Sequence, residues 1–179
     1  MSVQKRAFAI EASSVVLELI SPVAIGLPIK KDTTPEQYAL VGLWDTGATG
    51  CAVASHVIQA IKPPLVGVIS VGGVHGREMR GQYLVSMMLP NHVGFNAVPV
   101  TELSDEAGCD VLIGMDVICR GDFSTSTIGG KTSFTFRMPA FQKQNFVTHT
   151  PNDNSQCTCG SGRMFKNCCK KLIREIPGF

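Results

Sequence analysis

Charge is scarce in this chain. Only 17% of its 179 residues are charged and the formal net charge is +2, too little of one sign for a dedicated nucleic-acid binder. Apolar runs long enough to span a bilayer are also missing. The stretch Leu19–Ile29 is short and contains Pro22 and Pro28. Nor does the start read as a secretory leader, because Glu11 and Glu18 interrupt the apolar region that should follow Lys5 and Arg6. The expectation is a cytoplasmic protein with no membrane contact. No repeat with a period of about 20–50 residues is visible.

Apolar residues, at 44%, are plentiful enough to build a core and to exclude wholesale disorder. The length suits one domain of roughly 100–150 residues with a small appendage. Charge is unevenly spread between the two. Residues 157–179 hold Arg163, Lys166, Lys170, Lys171 and Arg174 against Glu175 alone, whereas the preceding residues are slightly acidic.

Short alternating runs punctuated by Gly and Pro predict an all-β body. Strands are expected at Val15–Ile20 and Val23–Ile29, broken at Ser21-Pro22, then at Tyr38–Trp44 and Phe95–Val100. Residues 55–61 read as a short helix capped by Ser55 and stopped by Pro63-Pro64. Leu65–Val71 and Gln82–Leu89 flank the stretch GGVHGREMRG, which predicts a long hairpin. Asp110–Ile118 starts as a buried strand and turns into a short helix. FSTSTI and KTSFTF are separated by Gly129-Gly130, the pair a tight primed turn requires. Phe134, Phe136 and Met138 should face a core, with Ser133, Thr135 and Arg137 in water. This divides the chain into a β domain over 1–140, a polar linker over 141–155 and a cysteine-bearing tail over 156–179.

Two groups of residues carry chemistry. The first is Trp44-Asp45-Thr46-Gly47-Ala48-Thr49, a carboxylate placed directly after an apolar strand. Taken alone, Asp-Thr-Gly is also an ordinary turn. It is followed in order by the glycine-rich hairpin, then Leu112-Ile113-Gly114-Met115-Asp116 and Gly121-Asp122-Phe123. This succession resembles the retropepsin-like aspartic proteases, from the first strands to about Met138. The resemblance implies a barrel lobe of the acid-protease kind, with Asp45 as the catalytic carboxylate. Thr46 would lock the loop across a two-fold axis, and Gly47 would permit close backbone approach. Ala48 would line the substrate site, and Gly114 would let the strand Val111-Leu112-Ile113-Gly114 pack against the loop. A flap over about Val71–Gly81, including Gly72, Gly73, Val74, His75 and Gly76, would close on a peptide. A second Asp-[Thr/Ser]-Gly is lacking, yet hydrolysis by this route needs two carboxylates that share one proton. The resemblance therefore implies a homodimer, acting on peptide or protein substrates with no cofactor in catalysis. Trp44 is bulkier than the small aliphatic residue usual before the acid. Thr49-Gly50 stands where many members have Asp, Asn or Ser. These departures leave a catalytically silent peptide-binding protein, or a zinc-dependent adaptor, as the alternative.

The second group is Cys157, Cys159, Cys168 and Cys169, spaced C-x-C-x8-C-C. Four thiolates satisfy tetrahedral Zn²⁺ with no open position, the signature of a structural site. A disulfide or a redox dithiol fits this spacing and compartment less well. The run QCTCGSGRMFKNCCKK resembles the SEC-C zinc motif, which implies a docking module for protein partners. Its basic residues read either as a surface for an acidic protein or RNA, or as balance for the negative charge of a tetrathiolate zinc site. Cys51, Cys109 and Cys119 read as buried free thiols.

Overall fold

The computed structural model describes residues 6–32, 36–73, 76–143, 145, 151–159 and 161–174. The body is all-β. In chain order it comprises β1 (Arg6–Glu11), β2 (Leu19–Gly26), β3 (Gln37–Trp44), β4 (Cys51–Ala54), α1 (Ser55–Ile61), β5 (Leu65–Gly73), β6 (Gly76–Met88), β7 (Gly94–Leu103), β8 (Val111–Ile113), α2 (Met115–Ile118), β9 (Asp122–Ile128) and β10 (Lys131–Met138). A seven-stranded sheet runs β2-β3-β8-β4-β7-β6-β5, and β2 also pairs with β6. That extra pairing closes six strands into a ring and leaves β5 outside as the arm of a hairpin. A second sheet, β1-β10-β9, packs beside it. No helix among the described residues is long and apolar enough to cross a membrane.

The core follows from alternation. Val23, Ile25, Val53, Val85, Val100, Val111 and Ile113 point into the ring and are buried. Phe134 and Phe136 of β10 are buried as the sequence predicts and meet Trp44 at ring-centroid distances of 5.9 and 5.0 Å. Thus the bulky Trp44 fills the gap between the two sheets. It stacks on Phe123 at 5.7 Å, and its indole N–H donates to Ser21 Oγ at 2.8 Å, satisfying the one polar atom it buries.

Several sequence expectations need correction. The break at Ser21-Pro22 does not occur: one strand, Leu19–Gly26, runs through it, and Val15–Glu18 is not strand. Pro22 lies opposite Val41, whose N–H turns away to Asp110 Oδ2 at 3.2 Å. The pair is therefore non-hydrogen-bonded, and the missing proline N–H falls on the edge where β2 has no partner among the described residues, since β6 reaches only Ala24–Gly26. Ser55 does not cap α1; the N-cap is Ala54, without a side-chain bond. The Ser55 hydroxyl instead bonds Glu102 Oε1 at 2.8 Å and Leu103 O at 3.1 Å. The helix ends at Lys62, in the left-handed region (φ 52°), just before the two prolines. Of the cysteines expected to be buried, Cys51 is, whereas Cys109 is half-buried and Cys119 exposed.

The Gly129-Gly130 hairpin forms as expected, with both φ values positive (62° and 74°) and Ile128 paired with Lys131. Strand β1, which alternation in so short a run did not reveal, pairs antiparallel with β10.

Candidate active site and metal centre

Asp45 stands where β3 ends. Strand β8 lies between β3 and β4, parallel to the first (Trp44 beside Ile113) and antiparallel to the second (Ala52 beside Leu112). The loop 45–50 must therefore arch over the end of β8 to connect them. Hydrogen bonds fix the arch on both sides: Asp45 N–H donates to Ile113 O at 3.0 Å and Met115 N–H to Ala48 O at 2.9 Å. Within the loop, Gly47 N–H donates to Asp45 Oδ1 at 2.7 Å, an Asx turn that orients the carboxylate. Asp45 is partly exposed, Thr46 and Gly47 are exposed, and Ala48 is half-buried.

Gly114 has the role its position suggests. A Cβ there would lie 2.4 Å from the Gly50 carbonyl oxygen and 2.5 Å from its carbon. Only a residue without a side chain lets the end of β8 pass under the loop.

Asp116 anchors the arch from below, a role the sequence reading did not assign. Its carboxylate accepts the Cys51 N–H at 3.2 Å, the Cys51 thiol at 3.0 Å and its neighbour Val117 N–H at 2.9 Å. Burial, reinforced by the bond to this carboxylate, pushes the Cys51 thiol pKa far above its usual range, so Cys51 stays protonated and serves as a donor.

Beside Asp45 opens a cleft of about 370 Å³, lined by Leu17, Glu18, Leu43, Trp44, Thr46 and Phe123 among others. The glycine-rich hairpin projects from the barrel as β5–β6, with Gly72 opposite Arg77 and Gly73 opposite Gly76. Gly76 adopts φ 117°, which strains any other residue, whereas a Cβ on Gly72 meets nothing. Val74 and His75, expected at the tip, lie outside the described residues.

At the other end of the chain, the Sγ atoms of Cys157, Cys159, Cys168 and Cys169 all lie within 4.8 Å of one another, and Cys159 and Cys168 are 3.5 Å apart. Tetrahedral Zn²⁺ with Zn–S bonds of about 2.3 Å sets sulfurs about 3.8 Å apart, so the four residues fit such an ion. The backbone prearranges them. Gln156 bridges Met164, and Cys157 N–H donates to Arg163 O at 2.7 Å, closing the Gly-Ser-Gly turn. Helix α3 (Cys169–Arg174) follows a 3-10 turn at Phe165–Asn167. Hydrogen bonding from Ser161 brings the Cys159 thiol down to about 6, while bonding to Cys157 pushes Cys169 up to about 12. Lys170 pairs with both oxygens of Asp153, at 2.5 and 2.6 Å, and Lys166 donates to Asn154 Oδ1 at 2.8 Å. Part of the basic surface is therefore engaged by the residues just ahead of the cysteines.

Three solved structures to which this chain is similar are proteases. One is a retropepsin-like aspartic protease from Rickettsia conorii, with 12% identity, a TM-score of 0.46, and coverage of 75% of this chain and 95% of that one. The protease of EIAV, complexed with the inhibitor HBY-793, has 19% identity, a TM-score of 0.40, and coverage of 57% and 86%. The protease of simian foamy virus (mac) has 17% identity, a TM-score of 0.35, and coverage of 55% and 92%. No family model and no curated protein sequence matches the chain.

Proposed function

We propose that the protein is an aspartic endopeptidase, active as a homodimer, whose C-terminal cysteines hold a structural zinc ion in a SEC-C-like module that docks a partner or substrate. The observation that carries this reading is the rigid presentation of Asp45: a partly exposed carboxylate at a strand end, on an arch hydrogen-bonded to Ile113 and Met115. A single acid cannot perform the reaction. Two carboxylates a few ångströms apart cannot both ionise readily, so one keeps a proton while the other takes one from water. The activated water attacks the peptide carbonyl, and the protonated acid polarises the carbonyl oxygen. Asp45 of each copy supplies one carboxylate. Thr46 and Gly47, exposed on the loop, meet their counterparts, and Ala48 with the hairpin residues Gly72, Gly73, Val74, His75 and Gly76 encloses the peptide.

In the tail the zinc ion supplies folding free energy to a segment too short to bury a core. Cys157, Cys159, Cys168 and Cys169 hold it, and the exposed Arg163 and Lys171 beside them offer a docking surface for an acidic protein.

The test is Asp45→Asn. Cleavage of a fluorogenic peptide library should vanish while the sedimentation coefficient and the bound metal stay unchanged. Wild-type protein that binds peptides but cleaves none at any pH would instead favour the silent, peptide-binding alternative.

A further inference from the structure

The cleft beside Asp45 combines apolar walls with charge of one sign. Leu17, Leu43 and Phe123 supply apolar surface, whereas its two charged residues, Glu18 and Asp45, are both acids. No lysine, arginine or histidine among the described residues lines it. Glu18 ends the connector between β1 and β2, one residue before Leu19, which pairs with Trp44. That register carries Glu18 to the level of Asp45. The side chain is exposed, and among the described residues no ion pair engages it. The half-buried Cys109 thiol senses both carboxylates: burial first, then the charges of Asp110, Glu18 and Asp45, raise its pKa. The two acids therefore act on one neighbourhood.

Resting on the endopeptidase reading above, we propose that this cleft selects a basic side chain, lysine or arginine, next to the scissile bond, with Glu18 determining the preference. A peptide whose reacting carbonyl sits at Asp45 carries its flanking side chains beside that carboxylate, so one of them enters the cleft. Lysine and arginine each join a long apolar stem to a charged head. Leu17, Leu43 and Phe123 pack against the stem, and the head reaches the Glu18 carboxylate at the open edge. An acidic side chain in the same place meets two carboxylates and no counter-charge, and is refused. A purely apolar one fits the walls but gains nothing from Glu18. Copies related by a two-fold axis each contribute one such cleft, so the preference extends to both sides of the bond.

Paired fluorogenic peptides test this on the full chain. They are built on a sequence that a library screen finds cleaved, and differ only in lysine or norleucine beside the scissile bond. Norleucine keeps the stem and removes the ammonium group. At neutral pH, wild type should cleave the lysine peptide with a kcat/KM about 5-fold higher or more. Glu18→Gln should erase that ratio. Glu18→Lys should turn the preference toward a glutamate peptide, a gain that misfolding cannot imitate. Sedimentation should find both variants as dimeric as wild type; a dimer weakened by Glu18→Gln assigns Glu18 to the subunit interface and overturns the proposal. Cleavage indifferent to the lysine–norleucine exchange, or a ratio that survives Glu18→Gln, overturns the assignment while leaving the endopeptidase standing. Wild type that cleaves no peptide of the library overturns the endopeptidase reading, and this inference with it.

Discussion

Gly114 and Gly50 touch backbone to backbone: a Cβ on the first would fall 2.4 Å from the carbonyl oxygen of the second. The contact holds the Asp45 arch down on β8. Gly114→Ala should therefore cost about 1–3 kcal/mol of stability, the usual range for overpacking, read as a lower denaturant midpoint at unchanged slope. Because the arch must lift to admit the methyl group, peptide cleavage should fall well beyond what the lost folded fraction explains.

His56 reports on a separate clamp. Its Nδ1 lies 2.8 Å from Asp105 Oδ1 and its Nε2 3.5 Å from Asp110 Oδ1, while Asp105 also accepts the His56 backbone N–H at 3.0 Å. Hydrogen bonding to Asp105 raises the imidazole above its ordinary 6.5. Bonds from His56, the backbone N–H first, lower Asp105 below its ordinary 3.8. The histidine's contribution is complete below its unfolded pKa and is lost as pH rises through the folded one. The aspartate's contribution is present above its unfolded pKa and is lost as pH falls through the folded one. The difference in melting temperature between wild type and Asp105→Asn should therefore be greatest between these two ordinary values and shrink on the alkaline side. In the variant, an NMR titration should find His56 moved down toward 6.5.

The cysteine cluster makes a prediction about partition. Native mass spectrometry should find one zinc ion per chain, and Cys168→Ser should abolish it. A chelator should shift the amide signals of residues around the Gln156–Met164 bridge while leaving the melting of the β body unchanged. Loss of the body's cooperative unfolding on chelation would show that tail and body fold as one unit.

Much of this was legible in the sequence, where local chemistry dictates local geometry. Gly129-Gly130 fixes a primed turn whatever surrounds it, and the alternation of Phe134 and Phe136 sets the buried face of β10. The glycine and carboxylate of the Asp45 loop mark a strand end, and the spacing of four thiols draws a metal site. What stayed hidden depends on partners far along the chain. Pro22 reads as a break until one knows that β6 pairs with β2 only from Ala24 onward. Asp116 reads as one more acid until Cys51, distant in sequence, is seen to donate to it twice. Ser55 has the composition of a cap, but Glu102 and Leu103 claim its hydroxyl. Trp44 looked like a departure and proves to be the wedge between two sheets, a role set by β9 and β10 rather than by its own neighbours.

The insertion of β8 between β3 and β4 has a consequence for the order of events at synthesis. Both supports of the Asp45 arch, Ile113 and Met115, are made more than sixty residues after it. Long-range pairing of this kind forms late, after the entropy of loop closure has been met. A nascent polypeptide halted before Val111 carries Asp45 on a loop without either of its supports. Topology alone thus postpones the shaping of the acidic loop until translation has passed the strand beneath it.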